Sequence, residues 1–438
     1  MSRETYPLIM FAALFVLLTL GAPIAFSLAA VAIVFAFALW GGGGLNLLVS
    51  AAWGSMNNFI IVAIPLFIYM AYILQKTNVV EDLYEAIYKW SGGMRGGLAV
   101  ATIAVGAILG AVSGVVAAGV IGLGLIGLPQ MKKHNYDKTL SLGSVLAGGT
   151  LGQLIPPSTN MVLYGCVTGV SIGSLFAGGM SAGIFLAVLY IVYIIVRGFL
   201  NPDMCPALPP EERASLREKI TSLRGVVLPF LLIVVVLGSI LSGMATPTEA
   251  AAFGAGGAML LGLVKKRLTV EIIYSSCYET ILVSSMVGWT MIGASSFSAV
   301  FSGLGGNTLI SNIAANMPGG ANAVFLVSAI FIFILGMFLE PNAIIFLAVP
   351  ILAPILTKLG FEALWVGLVF NVLLQCAYLS PPFGFSLFYL RGCTPNDTTI
   401  VDIYRSSVPF LAIQIICVAA IFIFPQIVLW LPRFLLGT

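Results

Sequence analysis

Apolar residues fill the chain in long runs, interrupted at short intervals by glycine, proline and isolated polar residues. Residues 7 to 39 form the first run, about 50 Å long if wound as one helix. That exceeds the roughly 30 Å hydrocarbon core of a bilayer, and Gly21-Ala22-Pro23 is where the run is expected to bend or turn. Runs of this length, rich in Gly and Ala, predict membrane-spanning helices. A β-barrel would need segments of about 10 residues with alternating polarity. The N-terminus carries neither a basic n-region nor a small-residue cleavage site, so the first run is expected to stay in the mature protein.

One interruption is costly where it stands. LGQLIPPSTN, residues 151 to 160, sits inside a run apolar enough to cross a membrane, yet holds Pro156-Pro157 followed by Ser158, Thr159 and Asn160. In hydrocarbon every backbone N–H and C=O must find a partner, so such a break is tolerated only against protein or a water-filled cavity. It predicts a site. A second proline pair, Pro381-Pro382, recurs 225 residues later.

The second pair belongs to a wider register. LGAVSG at 109 to 114 is answered by LGMFLE at 335 to 340, offset 226. Pro129, Lys133, Tyr136 and Tyr164 are answered by Pro354, Lys358, Phe361 and Tyr389, offset 225, and GAPIAFSLAA at 21 to 30 by ATPTEAAAFG at 245 to 254, offset 224. The shared register predicts two repeats, residues 1–200 and 225–438, joined by a polar connector at 201–224 that carries Pro202, Pro206, Pro209 and Pro210. Each repeat contains a run too long for one span, best read as a re-entrant hairpin: 96–131, interrupted at Ser113-Gly114, and 322–357, interrupted at Glu340-Pro341-Asn342. Each hairpin is followed by a Pro-Pro-broken helix, 138–165 and 363–392. Lys132, Lys133 and Lys138 outnumber Asp137 in the first matched loop, whereas Lys358 is balanced by Glu362 in the second. By the positive-inside rule the first loop is cytoplasmic and the second need not be, so the repeats are expected to be inverted. Lys265, Lys266 and Arg267 also favour a cytoplasmic loop. Four interruptions related by one two-fold would converge near mid-membrane.

Composition agrees: 60% hydrophobic and 8% charged residues, against roughly 25% charged in soluble domains, describe an all-α polytopic membrane protein. The net charge of +3 is scattered, so no nucleic-acid partner is indicated. The six cysteines form no CxxC pair and mostly lie in apolar runs, where a free Cys acts as a small hydrophobe. There is neither a G-x-x-x-x-G-K-[ST] motif nor a soluble domain large enough for ATP, which leaves an ion gradient or a partner as energy source.

A discontinuous helix exposes N–H groups at one stub, suited to anions, and C=O groups at the other, suited to Na⁺. On that chemistry Ser113, Gly114, Ser158, Thr159 and Asn160 from the first repeat, and Glu340, Asn342, Ser380, Phe383 and Gly384 from the second, are candidate substrate and ion ligands. The structural alternative is a pair of proline kinks with Ser and Thr bonding the freed carbonyls. Glu340 is either an ion ligand or proton carrier, or the cap of the second hairpin helix just before Pro341, with the cap slightly preferred. Glu249 belongs to a TPTE capping box with Thr246 and Pro247. Arg391, nine residues past Pro382 and so about 13 Å along a helix, is expected to snorkel to the interface. His134 is expected to be solvated, and Asp82, Glu85 and Lys89 alternate with Leu83, Ile87 and Trp90 as on an interfacial amphipathic helix.

LIPPSTNMVLYG, TPTEAAAFGA, LGMFLEPNAI with the following VPILAPI, and SPPFGFSLFYLRG resemble the large membrane subunit (DctM-like) of tripartite ATP-independent periplasmic, or TRAP, transporters, over essentially the whole chain. The resemblance implies a bacterial inner-membrane permease working as an elevator. Two hairpins and two broken helices would form the mobile domain, and the remaining helices, with a small four-helix membrane subunit, the scaffold. A periplasmic substrate-binding protein would deliver an organic acid anion, and two or more Na⁺ would drive uptake. Ser113-Gly114 with the Pro156 break would hold one Na⁺, Glu340-Pro341 with the Pro381 break and Ser380 a second, and the anion would lie between them. The first tip departs from the family's Ser-Gly-Ser in reading Ser113-Gly114-Val115, and Gln375, Cys376 and Ala377 stand where many members carry an acid and a glycine. The FGFSLFYLRG ending resembles a branch associated with small monocarboxylates, mannitol or chloroaromatic acids; an organosulfonate is equally compatible. The rival reading is a self-sufficient Na⁺- or H⁺-coupled carrier of the citrate or dicarboxylate kind. An intramembrane enzyme would need paired acids, a metal-ligand cluster or a Ser/His dyad, which the sequence lacks.

Overall fold

With no water to satisfy them, the backbone groups of apolar runs must pair within their own segment, and the chain meets this demand by winding into α-helix. The structure, a computed structural model, describes residues 5–394 and 398–437, apart from the side chains of Val80, Val112, Ser113 and Arg224. The first half comprises α1 (Thr5–Thr19), α2 (Ile24–Trp40), α3 (Gly42–Met56), α4 (Ala63–Lys76), α5 (Val79–Ser91), α6 (Gly97–Ser113), α7 (Val116–Lys133), α8 (Lys138–Thr150), α9 (Thr159–Thr168) and α10 (Ile172–Leu200). After α11 (Leu216–Ser222) come α12 (Arg224–Leu241), α13 (Pro247–Val264), α14 (Val270–Gly303), α15 (Gly306–Ala315), α16 (Gly320–Gly336), α17 (Pro341–Leu347) and α18 (Val349–Lys358). The second half closes with α19 (Ala363–Leu379), α20 (Phe385–Cys393), α21 (Ile400–Ile423) and α22 (Gln426–Leu436). Among the described residues, five helices are long and apolar enough to cross a membrane unaided: α4 with the turn before it, α10, α13, α14 and α21.

Local signals act where they stand. The first run divides at Gly21, whose φ is +83°, and Pro23, with α2 starting at Ile24. Thr246 and Glu249 close a reciprocal capping box with Pro247 in the first turn of α13. α9 runs on to Thr168, three residues beyond the expected end of the broken helix, and stops where Gly169 turns left-handed. Beyond the Glu340 interruption the chain is bent once more, by 57° between α17 and α18. Pro350 explains the bend, because it has no N–H to give to the carbonyl four residues back.

The 201–224 connector is an ordered element rather than a polar tether. Its backbone carbonyls at Met204 and Cys205 accept from Asp137 N–H at 2.7 Å and Gly96 N–H at 2.9 Å, and Leu208 N–H donates to Gly92 at 2.9 Å. Cys205 and Leu208 are buried. This docking also corrects the expectation for His134. Its side chain is only 9% exposed, with Nε2 3.4 Å from the Glu212 carboxylate of the connector.

Around the breaks the helices meet backbone to backbone. A Cβ on Gly106 would lie 2.3 Å from the Gly148 carbonyl oxygen, one on Gly110 2.5 Å from Gly152 Cα, and one on Gly119 2.7 Å from the Gly149 carbonyl oxygen. Lipid offers helices no hydrophobic drive to associate, so close packing through small residues supplies the contact. The second half repeats the device at Gly336, whose Cβ would lie 2.4 Å from the Ala377 side chain. Across the halves, α9 packs on α17 and α18, and α20 packs on α7 and α8.

Candidate functional site

The first break begins where α8 tightens into a 3₁₀ turn at Leu151–Gln153. The Pro156-Pro157 peptide is cis, and α9 starts at Thr159 after an extended Ser158. Pro156, like the rest of 151–158, is buried. Ser158 is fully buried and its hydroxyl is committed: it accepts from Met161 N–H at 3.4 Å as the N-cap of α9 and donates to the Gln153 carbonyl. It splints the two stubs. Asn160 is 2% exposed, and its side-chain amide faces the Tyr378 hydroxyl just ahead of the second break.

The first hairpin tip rests on that break. α6 ends at Ser113, whose side chain lies outside the described residues. Gly114 donates its N–H to the Gly110 carbonyl at 2.9 Å and adopts φ +58°, after which Val115 is extended. A Cβ on Gly114 would stand 2.2 Å from the Pro157 carbonyl oxygen, and Thr159 Oγ1 donates to the Gly114 carbonyl at 3.4 Å. Gly114, Pro157 and Thr159 therefore converge. The motif alone points to Pro156, but the carbonyl facing the tip belongs to Pro157.

At the second tip Glu340 occupies the N-cap position of α17 with extended backbone, yet its side chain takes no backbone N–H. The capping expectation fails on this point. Pro341 is buried in the first turn, and the carboxylate is taken up by Asn342, accepting from its Nδ2 at 2.9 Å. Tyr378 and Tyr389 lie within electrostatic reach of the carboxylate. The second break follows α19: Ser380 is extended, Pro381-Pro382 is cis, and Gly384 donates its N–H to the Ser380 carbonyl at 3.0 Å before α20 starts. Ser380 Oγ turns back to the Ala377 carbonyl at 3.3 Å. A Cβ on Gly384 would meet the Tyr378 carbonyl oxygen at 2.7 Å. The Phe383 ring lies 6.2 Å from that of Phe338 at the second tip, so this tip too touches its own break. The two breaks differ in access. Phe383 is 51% exposed, whereas Ser158, its counterpart at offset 225, is fully buried. Arg391 points at neither tip; its guanidinium holds the Thr398 carbonyl at 2.7 Å.

Between the broken helices lies a polar seam that the motifs do not announce. Gln153 Nε2 donates to the Asn371 carbonyl at 3.3 Å, and Gln375 Nε2 to Thr150 Oγ1 at 3.5 Å. All four residues are buried. Amides inside apolar helices are the signal that could reveal it, since polar side chains in a membrane face the bundle interior. Chemically, the arrangement offers backbone carbonyls at the tips and two helix starts, those of α9 and α20, whose first-turn N–H groups have no acceptor in their own helix. Among the described residues no cluster of His, Cys, Asp and Glu could hold a metal.

Comparison with known proteins agrees with this architecture. Residues 11–427 match the family described as the tripartite ATP-independent periplasmic transporter, DctM component. The chain is 29% identical over 425 residues to the ectoine TRAP transporter large permease protein TeaC of Halomonas elongata, covering 97% of this chain and 98% of that protein. It is 31% identical over 387 residues to the C4-dicarboxylate TRAP transporter large permease protein DctM of Pseudomonas aeruginosa, covering 86% and 87%. Among solved structures, the YdaH transporter of Alcanivorax borkumensis superposes with a TM-score of 0.61 at 14% identity, over 88% of this chain and 90% of that one. That likeness speaks to the fold alone, an all-helical multi-span membrane architecture. The chain belongs to the DctM family: it is a multi-pass inner-membrane permease, not an enzyme, and one component of a three-part TRAP transporter.

Proposed function

We propose that the chain imports a small organic acid anion, a carboxylate or sulfonate, by a Na⁺-coupled elevator movement of two inverted repeats. The observation that carries this reading is that each hairpin tip touches its own helix break, Gly114 at Pro157 and Phe338 at Phe383. Carbonyls of tip and break then supply the oxygen ligands for Na⁺, with Ser113, Gly114 and the Pro156-Pro157 break at one site and Glu340, Pro341 and Ser380 at the other. The anion lies between them, near Asn160, Asn342, Phe383 and Gly384, where the first turns of α9 and α20 present N–H groups; each helix start contributes about 0.3–1 kcal/mol, and up to ~2 in partly buried geometry. Thr150 and Gln375 give independent support to the two-fold. They are mates at offset 225 and lie within 3.5 Å of each other, as a residue and its mate do only beside the axis relating them. The exchange of α9 onto the second hairpin and α20 onto the first obeys the same symmetry.

In this reading a small four-helix membrane subunit completes the scaffold, and a periplasmic binding protein delivers the anion. The relatives' ectoine and C4-dicarboxylate differ enough that only the substrate class is proposed. The test is uptake of radiolabelled carboxylates and sulfonates into proteoliposomes under a Na⁺ gradient. Uptake is expected with both partners present and to fall to background when either is left out; equal uptake by the large subunit alone would return the chain to the self-sufficient carriers.

Inversion has its own test. Single cysteines replacing Lys133 and Lys358, both exposed, in a background without native cysteines, should react with an impermeant maleimide from opposite sides of the membrane, Lys133→Cys from the cytoplasm. Labelling of both from one side would refute the inverted repeat.

A further inference from the structure

A cavity of about 600 Å³, whose lining shares no residue with the tips or the breaks, opens between α5, α11, the start of α12 and the loop after α13. Its floor is Asp82, gripped by Lys265 Nζ at 2.5 Å and Arg267 Nη1 at 3.0 Å. Gly225 leaves room there, since a Cβ on it would come within 3.3 Å of the Asp82 side chain. The other acids of the wall are also occupied. Glu85 pairs with Lys89 at 2.6 Å, and Glu218 accepts from the backbone N–H and hydroxyl of Ser215 at 2.7 and 2.8 Å. Two cations thus share Asp82, and Arg217, exposed on α11, has no acidic partner among the described residues. The wall carries surplus positive charge.

What adjoins the charge is apolar and exposed. Leu216, Ile220, Leu223, Val227 and Leu231 follow one another at helical spacing from α11 into the apolar α12, and all five are exposed. Trp90, half exposed, fastens this edge by donating its indole N–H to the Lys219 carbonyl at 3.1 Å. A short helix with a charged face on a cavity, an unpartnered apolar face and a Trp beside it has the chemistry of the membrane-water boundary. A basic cavity opening onto an apolar stripe at that level suits an amphiphile with an anionic head.

We propose that this cavity binds the phosphate of an anionic glycerophospholipid. Arg217 contacts the phosphate directly, Lys265 and Arg267 divide their charge between it and Asp82, and an acyl chain lies along Leu216, Ile220, Leu223 and Val227. The lipid would brace the connector between the two halves against α5. A free phosphate would use the same cations and ignore the stripe.

The full chain, alone and with its small membrane partner, can be titrated with phosphatidylglycerol and phosphatidylcholine and read by native mass spectrometry. Wild type should hold phosphatidylglycerol at least tenfold more tightly than phosphatidylcholine, and Arg217→Glu should remove the preference while melting at the wild-type temperature. Arg217→Gln should lose an intermediate part, and Ile220→Ser should weaken phosphatidylglycerol without creating affinity for glycerol 3-phosphate. Unchanged phosphatidylglycerol binding in Arg217→Glu overturns the proposal. So does full competition by glycerol 3-phosphate, which would mark a free-phosphate site, or loss of the lipid when the small subunit is bound, which would mark a protein interface.

Discussion

Gly114→Ala is expected to lower uptake by well over tenfold at an unchanged level of membrane insertion. Two costs add at this position. A non-glycine residue in the left-handed region loses about 1–2 kcal/mol, and φ here is +58°. The added methyl would also sit 2.2 Å from the Pro157 carbonyl oxygen, a backbone atom that cannot swing aside as a flexible side chain would. Relief requires the tip to lift from the break, separating the Gly114 carbonyl from Thr159 Oγ1 and dispersing the oxygens proposed for Na⁺. Since about 1.4 kcal/mol corresponds to a factor of ten, either cost alone should be measurable. Gly288→Ala is the control: its Cβ would meet nothing within 4 Å, and uptake should stay near wild type. Initial rates normalised to permease content decide the matter. Near-normal uptake by Gly114→Ala would mean that the tip need not rest on the break for transport.

Features legible in the amino-acid sequence and features that only packing creates divide along physical lines. The breaks are legible because hydrocarbon penalises any interruption of backbone pairing, so Pro156-Pro157 and Pro381-Pro382 announce themselves against apolar surroundings. The Thr246–Glu249 box is legible because capping is coded within four residues. Ligand assignments are harder, because they depend on where a turning backbone aims each oxygen. Ser158 has the chemistry of a ligand, yet its hydroxyl ties Gln153 to the first turn of α9. Glu340 stands at a cap position, but Asn342 folds back to claim its carboxylate. The docking of Cys205 and Leu208 is hidden for another reason. Nothing local distinguishes a buried connector from a solvated one, and His134 takes its surroundings from that connector. Gln153, Asn371 and Gln375 are visible as amides in apolar helices, but only packing pairs residues 225 positions apart.

Sodium dependence is the second large effect, and Glu340 is where it can be separated from proton coupling. Uptake is expected to require a Na⁺ gradient, to persist when the proton gradient is collapsed at fixed membrane potential, and to rise sigmoidally with Na⁺ if two sites fill. Glu340 is the acid at the second tip, and the hydrogen bond given to its carboxylate comes from the neutral amide of Asn342. An intramembrane carboxylate so poorly compensated is costly, and a bound cation or a proton would relieve the cost. Glu340→Gln keeps an oxygen for Asn342 Nδ2, so the tip should fold as before, while the charge that would compensate Na⁺ is gone. Hydrogen bonds to charged groups contribute about 1.5–3 kcal/mol, and a loss of that size would raise the Na⁺ needed for half-maximal uptake by roughly 10- to 100-fold with little change in permease content. Asn342→Ala removes the donor and leaves the charge, so it should not show the large rise in the Na⁺ requirement expected of Glu340→Gln. If Glu340 carried protons instead, uptake would run equally well in Na⁺-free buffer on a proton gradient, and Glu340→Gln would abolish that uptake at every Na⁺ concentration. Such a result would sink the sodium assignment and make Glu340 the coupling residue of a proton-driven permease.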